Sequence, residues 1–211
     1  MTLVAISAAY GAAGSVIAPA VAQRLGIPFV DRAIPVGVAE RLDISVEEAI
    51  RAEDEPAPSL LERLLRGFAA ADTGAPAPPM PDLVTAEDFH DAAEQELLAR
   101  AATGEGVILG RAAVVVLRDD PRAVRVRLTG PPEARIGQAM RLGNVDRETA
   151  ERAMRRLDRA HAEYVKRFYD ADLNDCGLYH LVIDSTALSP KACCELIATA
   201  ATARVDDAQA G

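Results

Sequence analysis

The chain has 211 residues, of which 50% are hydrophobic and 26% are charged, and its formal net charge is −9. This length favours one domain, 1–211, with a sizeable core, and the negative charge argues against a general nucleic-acid binder, whose surface must be cationic. No apolar run reaches the roughly 18 residues of a membrane span and the three cysteines, Cys176, Cys193 and Cys194, lack metal-ligand spacing, so we expect a cytoplasmic protein without a membrane partner.

The first thirty residues have the pattern of a β-α-β unit. An apolar run rich in β-branched residues, 2–8, predicts a buried strand, and a loop with two glycines follows at 10–15. A helix is predicted over 16–25, closed by Gly26, and a second strand over 27–30. A helix between two strands implies a parallel sheet.

The next segment is predicted to be helical and to end in a proline-rich loop. Residues 32–71 contain two capping-box patterns, Ser45 to Glu48 and Ser59 to Glu62. Four prolines fall within 71–81, which is typical of a mobile loop or lid element rather than of a domain boundary.

The rest of the chain alternates helices and strands. We predict three more strands, at 106–110, 123–128 and 179–183, and a disordered tail at 205–211. Five strands separated by helices fit a doubly wound α/β fold with a parallel sheet, whose ligands lie beyond the carboxyl ends of its strands.

The loop between the first strand and the first helix is a candidate phosphate site. Such a loop aims backbone N–H groups at one point, with the positive end of the helix dipole behind them. When the chain is aligned at Ser15 with the Walker pattern, Ala8 and Ala13 replace its two glycines and Gly14 replaces its lysine. The hydroxyl that would contact Mg²⁺, that of Ser15, is retained. A tight turn without a ligand is the alternative interpretation.

The same residues also resemble a Rossmann-type dinucleotide-binding site. Asp31 lies 20 residues after Gly11, at the end of the second predicted strand, where a carboxylate would accept from a ribose hydroxyl. The segment from Gly11 to Gly14 has two glycines where that fingerprint has three. A cap on the following helix is the alternative role for Asp31.

A basic segment lies within this acidic chain. Residues 111–167 contain 13 arginines and one lysine against eight acidic residues, a local net charge of +6. Many of these arginines fall on a helix predicted over 146–168, and arginine suits phosphoryl oxygens because its planar fork binds two at once. A solvent-exposed face with ion pairs is the alternative. Three i,i+4 pairs have the favourable order: Glu148–Arg152, Glu151–Arg155 and Glu163–Arg167.

Two charged residues follow predicted strands directly. Asp31 and Arg111 both lie at carboxyl ends that face the ligand crevice of such a sheet. A surface salt bridge is the alternative role for Arg111. His90, His161 and His180 have no spacing that indicates a metal site or a triad, and we expect them to be structural.

Four segments resemble the cytidylate kinase-like family of P-loop nucleoside-monophosphate kinases, over about residues 3–200. They are Ile6 to Gly14 (Ile-Ser-Ala-Ala-Tyr-Gly-Ala-Ala-Gly), Leu25 to Asp31 (Leu-Gly-Ile-Pro-Phe-Val-Asp), Val107 to Ala112 (Val-Ile-Leu-Gly-Arg-Ala), and Leu157 to Arg159 with Tyr164.

The resemblance implies transfer of the γ-phosphoryl group of ATP, bound with Mg²⁺, to CMP, dCMP or a similar nucleoside monophosphate. It implies a core of 1–31 and 103–204, an acceptor-binding insertion of 32–88, and a lid of about 143–170 whose closure would exclude water. The implied site residues are Gly11, Ala12, Ala13, Gly14 and Ser15 for the donor phosphates, with Ser15 on Mg²⁺; Asp31 and Arg111 for the acceptor; and Arg155, Asp158 and Arg159 in the lid.

The phosphate loop departs from the family pattern. Family members commonly read Ser-Arg-Glu-Tyr-Gly-Ser-Gly-Gly-Arg, whereas this chain has Ala8-Ala9, Ala12-Ala13 and Ser15 at the changed places, so its loop has no charged side chain. Ala13 replaces a glycine, and a left-handed backbone there would be strained by roughly 1–2 kcal/mol. Two alternatives therefore accompany the kinase: a catalytically inactive nucleotide-binding or regulatory relative, and a scaffold that forms homo-oligomers through apolar helices.

Overall fold

The computed structural model describes residues 2–30, 86–110 and 112–210, which form an α/β fold around a parallel sheet. The strands are β1 (Leu3–Ala8), β2 (Gly106–Leu109), β3 (Ala123–Thr129) and β4 (Leu181–Asp184). The helices are α1 (Gly14–Leu25), α2 (Ala86–Ala102), α3 (Ala113–Val116), α4 (Pro132–Gly143), α5 (Arg147–Tyr169) and α6 (Pro190–Ala210), with a 3₁₀ turn at Cys176–Leu178. The implied insertion, 32–88, lies outside the described residues except for the start of α2.

The sheet is parallel throughout, as the sequence predicts, with the strand order β2-β1-β3-β4. The central pair, β1 and β3, begins its register with Leu3 beside Ala123. Near the carboxyl end of the same pair, Ser7 lies beside Arg127. Because paired residues of parallel strands point to the same face, these two polar side chains share one side of the sheet.

The prediction of five strands is wrong for the described residues, which contain four. Residues 27–30 approach β2, but only Phe29 pairs with it, as an isolated parallel bridge to Val107. The Ile27 N–H already donates to the last turn of α1, and Pro28 has no N–H to give. The segment therefore has too few donors to extend the bridge into a strand.

Apolar side chains cover both faces of the sheet. On one face, β1 and β3 pack with α1 and α6 in a cluster that includes Ile6, Ile17 and Ile197. On the other face, the sheet packs with α2, α3 and α5 in a cluster that includes Leu97 and Ile108. Burial of each such side chain stabilises the fold by roughly 1.5–3 kcal/mol. Helices on both faces make the sheet doubly wound.

The helix ends follow local sequence signals with one exception. Gly26 ends α1 with φ 69°, and the Asp146 carboxylate caps α5 by accepting from the Thr149 N–H at 2.8 Å. The exception is α6, which continues to Ala210 through a segment predicted to be disordered, 205–211. Its alanine-rich composition favours the longer helix. None of the helices in the described part of the chain combines the length and apolarity needed to cross a membrane.

Candidate phosphate-binding and catalytic site

The candidate site lies where β1 and β3 end side by side. After β1 the chain turns through α1 towards the β2 edge, where Phe29 pairs, whereas after β3 it crosses towards β4. Because the two connections leave in opposite directions, a crevice opens between them at the carboxyl ends of the strands. The loop 9–13 follows β1 at this crevice, and Gly130 follows β3.

The loop after β1 is a compact turn fixed by backbone contacts. The Ala12 N–H donates to the Ala9 carbonyl at 3.0 Å, and the buried Ser185 hydroxyl donates to the Ala12 carbonyl at 2.8 Å. Gly11 has φ 77°, and a Cβ at this position would lie 2.3 Å from the Arg135 carbonyl oxygen. Only glycine therefore fits at the point where the loop passes the first turn of α4.

The amino-terminal end of α1 is open to an anion. Ala13 precedes the helix in a left-handed conformation, φ 54° and ψ 27°, so the strain expected for this alanine is present. Its carbonyl accepts from the N–H groups of Val16 and Ile17. Within the described residues, the N–H groups of Gly14 and Ser15 have no hydrogen-bond acceptor. They lie at the positive end of the helix dipole, where phosphate binds favourably.

The position of the Walker lysine is sterically closed. A Cβ at Gly14 would lie 2.6 Å from the Ala8 Cβ and 3.2 Å from a Leu109 methyl group. Ala8 itself occupies the place of a Walker glycine, so the two residues exclude a lysine together. Ser15, the next residue, is exposed, and no hydrogen bond of its hydroxyl is found in the described part of the chain.

Asp158 joins α5 to the phosphate loop. One of its carboxylate oxygens accepts from the Tyr10 N–H at 2.9 Å, and the other accepts from Arg135 Nη1 at 2.7 Å. Arg135 also donates to the carbonyl oxygens of Tyr10 (2.9 Å) and Gly130 (3.1 Å). The loop after β1, the turn after β3 and α5 are thus held together at the crevice. Asp158, which the sequence predicts to be a lid residue, therefore contacts the loop after β1, and its role in a site stays a prediction.

No sequence signal had singled out Arg135, although it belongs to the basic segment 111–167. The residue is only 8% exposed, and it lies in the first turn of the helix that follows β3. A basic residue in the first turn after a carboxyl strand end is the signal that could have found it, because that position faces the ligand crevice.

The other two predicted lid residues lie on the solvent side of α5. The side chains of Arg155 and Arg159 are 66% and 80% exposed. Arg155 lies 3.9 Å from a Glu151 oxygen, and Arg159 Nε donates to Glu163 at 2.6 Å. Both arginines thus lie on an exposed, ion-paired face in this conformation, and of the three predicted lid residues Asp158 is the one that contacts the loop.

The predicted acceptor residues, Asp31 and Arg111, lie outside the described residues and stay predictions. Their described neighbours lie against the sheet. The Val30 N–H donates to β2 at 2.9 Å, and the Gly110 N–H donates to the Ile6 carbonyl of β1 at 2.8 Å.

A second, half-buried cation borders the crevice on β3. Arg127 Nη1 donates to Ser7 Oγ at 2.6 Å, and burial lowers the pKa of its guanidinium, which remains charged at neutral pH. His161 of α5 lies nearby. Burial, and next the charge of Arg127, lower the pKa of His161 to about 4, so its ring is neutral at pH 7. The described residues contain no group of three His, Cys, Asp or Glu side chains that could hold a metal ion.

The doubly wound parallel sheet and the open helix amino terminus define an α/β protein with a candidate phosphate site at its strand ends. Residues 3–187 match the cytidylate kinase-like family, and the chain belongs to that family. The resemblance inferred from the four sequence segments is therefore confirmed.

Solved structures show the same fold. An uncharacterized protein from Eubacterium ventriosum ATCC 27560 is 18% identical, with a TM-score of 0.65 over 96% of this chain and 99% of that one. A shikimate kinase from Acinetobacter baumannii, solved in complex with shikimate, is 14% identical, with a TM-score of 0.50 over 93% of this chain and 90% of that one. A comparison with the curated proteins gave no match.

Proposed function

We propose that this protein transfers the γ-phosphoryl group of ATP to CMP, dCMP or a similar nucleoside monophosphate. The observation that carries the proposal is the 2.9 Å hydrogen bond from the Tyr10 N–H to Asp158. It holds the open end of α1 and the arginine-bearing helix α5 at one crevice, which is the arrangement that phosphoryl transfer requires. Membership of the family supports a kinase. The choice of CMP or dCMP as the acceptor rests on the sequence resemblance alone.

The donor phosphates are assigned to the loop Gly11, Ala12, Ala13, Gly14 and Ser15. Its backbone N–H groups and the helix dipole, equivalent to about half a positive charge, would replace the missing charged side chains. Mg²⁺ bound with ATP fits the exposed hydroxyl of Ser15, because Mg²⁺ usually takes one or two protein oxygens besides water and phosphate. The ion would neutralise part of the phosphate charge.

The lid arginines are assigned to the transferring group. Arg155 and Arg159 would reach it when the lid region, about 143–170, closes over the crevice. Their present ion pairs are exposed, and such pairs contribute at most about 1 kcal/mol each, so exchange for phosphoryl oxygens costs little. Guanidinium groups then spread the charge of the transition state.

Asp158 is assigned a positioning role, since its oxygens already hold the Tyr10 N–H and Arg135. The acceptor nucleotide is assigned to Asp31 and Arg111, each at the end of a segment that pairs with the sheet. The acceptor assignment follows from the family resemblance.

One observation favours a catalytically inactive nucleotide-binding relative as the second candidate. The loop has Ala8 and Ser15 where family members commonly have arginine, so it would stabilise the transferring charge without a side-chain cation. Loss of one preorganised charge at such a site reduces turnover by about a hundredfold or more. A protein of this kind would bind nucleotides without releasing ADP.

The test measures turnover and binding on the intact chain. ATP–Mg²⁺ is incubated with CMP, dCMP and AMP, and ADP and the nucleoside diphosphate are quantified. We expect equimolar ADP and CDP, a drop in kcat of about a hundredfold in Arg159→Ala, and little change in Arg152→Ala, whose side chain pairs with Glu148 on the same helix.

The outcomes separate the candidates. A rise in melting temperature with CMP but no ADP would support the inactive relative, because binding to the native state raises stability. A rise with NAD(P) alone would support the dinucleotide-binding alternative. If no nucleotide raises the melting temperature and no ADP forms, the scaffold is the remaining candidate.

A further inference from the structure

Arg127 holds a position that suits a ligand-binding cation. It lies near the carboxyl end of β3, opposite Ser7 on the central pair of strands, and its side chain is half-buried on the face covered by α5. The crevice where the strand order reverses opens at this end of the pair. A ligand that enters the crevice beneath α5 would meet this guanidinium.

No described residue forms an ion pair with this arginine. Within the described chain, no carboxylate lies within 4.0 Å of Arg127, and Ser7 Oγ is the acceptor of its hydrogen bond. The charge of Asp158 favours the ionised form of Arg127, but its two oxygens already accept from Arg135 and from the Tyr10 N–H. A guanidinium has five N–H donors, so donors are left over for a ligand.

Two neighbouring arginines have more of their N–H donors engaged, although Arg125, like Arg127, has no carboxylate within 4.0 Å among the described residues. Arg135 is neutralised by Asp158 at 2.7 Å. Arg125 lies two residues before Arg127 on the same strand and face, and donates to the carbonyl oxygens of Leu178 (2.7 Å) and Arg118 (2.5 Å). A half-buried cation without an anionic partner is costly unless a ligand supplies the anion.

Burial and then the like charge of Arg135 lower the pKa of Arg127, whereas the neutral ring of His161 adds no further charge. His161 lies close enough for its titration to be affected by Arg127, and its ring is neutral at pH 7.

We propose that Arg127, held by Ser7 and flanked by His161, binds the phosphate group of the acceptor substrate. The identity of that ligand as a phosphate monoester rests on the proposed function, whereas the anion site itself does not. The side chain binds two phosphoryl oxygens through its fork and thereby orients the acceptor beneath α5.

The test uses the intact chain and inorganic phosphate or pyrophosphate as the probe, titrated calorimetrically at constant ionic strength. We expect Arg127→Gln to weaken binding about tenfold or more, as the loss of a charge-assisted hydrogen bond predicts. Arg125→Gln is the matched control, and its affinity should stay close to that of the unchanged protein. Equal affinities of Arg127→Gln and the unchanged protein, or no binding of either probe at millimolar concentration, would overturn the proposal.

A second measurement does not depend on the folding of Arg127→Gln. The Nε–H resonance of Arg127, assigned with Arg127→Lys, should move when phosphate is added to the unchanged protein. A stationary resonance overturns the proposal.

The failures of the two proposals are distinguishable. If Arg127→Gln loses phosphate binding and the unchanged protein forms no CDP, the anion site at Arg127 is supported and the kinase proposal fails. If the unchanged protein forms CDP, and Arg127→Gln keeps the same KM for CMP and the same phosphate affinity, the anion-site proposal fails and the kinase proposal stands.

Discussion

Arg135 Nη1 of α4 lies 2.7 Å from a carboxylate oxygen of Asp158 in α5, and both side chains also form hydrogen bonds with the backbone of Tyr10 in the phosphate loop. The Tyr10 carbonyl accepts from the arginine while its N–H donates to the aspartate, so the two partners hold both polar groups of one residue. The Arg135 side chain is 10% exposed and that of Asp158 is 32% exposed. The position of the loop therefore depends on an ion pair outside the loop.

Removal of the Asp158 carboxylate should destabilise the folded protein. We expect Asp158→Ala to lower the free energy of unfolding by about 2–4 kcal/mol, because Arg135 loses its counter-charge and the Tyr10 N–H loses its acceptor. Urea unfolding measures the change. Glu163→Ala, which breaks the exposed pair with Arg159 on the same helix, is the control and should change stability by less than about 1 kcal/mol. Similar losses in both variants would contradict a special role for Asp158.

This ion pair also shows where prediction from sequence stops. The β1–loop–α1 unit could be predicted, since a β-branched run and Gly26 act locally. The contact between Tyr10 and Asp158 spans 148 residues and exists only because α4 and α5 pack beside the loop. Periodicity placed Asp158 on a helix but could not place that helix against Tyr10.

Residues 27–30 and the arginines of α5 show the same limit of prediction from sequence. Residues 27–30 look like a strand by composition, but the hydrogen bond of Ile27 to α1 and the missing N–H of Pro28 are decided by neighbours. The arginines of α5 fitted a phosphoryl site and a solvent face equally well in sequence. Only the exposures of Arg155 and Arg159 separate the two for the present conformation.

The contact between Ala8 and Gly14 predicts a coupled pair of substitutions. Gly14→Ala should destabilise the protein by about 1–3 kcal/mol, because its Cβ would lie 2.6 Å from the Ala8 Cβ. Ala8→Gly in the same chain should recover most of that loss, as a double-mutant cycle of urea unfolding would show. Additive losses would mean that the two positions do not exclude each other.

The same pair of positions decides whether a Walker lysine can be introduced. Gly14→Lys alone should fold poorly, whereas Ala8→Gly combined with Gly14→Lys removes the Cβ contact. If the loop binds ATP phosphates, the double variant should bind ATP–Mg²⁺ more tightly than Ala8→Gly alone, since the added charge is attracted to phosphate. Equal affinities would place the phosphates elsewhere.

The left-handed backbone of Ala13 predicts a stabilising substitution. Ala13→Gly should raise the free energy of unfolding by roughly 0.5–1 kcal/mol, because relief of the strain exceeds the added entropy of the unfolded chain. Ala12→Gly, at a neighbouring residue without positive φ, should instead lower stability. Thermal and urea unfolding of the two variants test the sign, and destabilisation by Ala13→Gly would contradict the strain.

His161 should make stability depend on pH. Burial and the Arg127 charge hold its pKa at about 4 in the folded protein, against about 6.5 in the unfolded chain. Between these values the unfolded state binds more protons, so the free energy of unfolding falls as the pH drops, by up to about 1.4 kcal/mol per pH unit from this group. Above about pH 7.5 the ring is neutral in both states, and the group contributes almost no pH dependence. Burial also lowers the pKa of His180, which acts in the same direction. His161→Gln should therefore flatten the urea-unfolding pH profile more than His180→Gln does, and an unchanged slope in His161→Gln would mean that its ring is protonated in the fold.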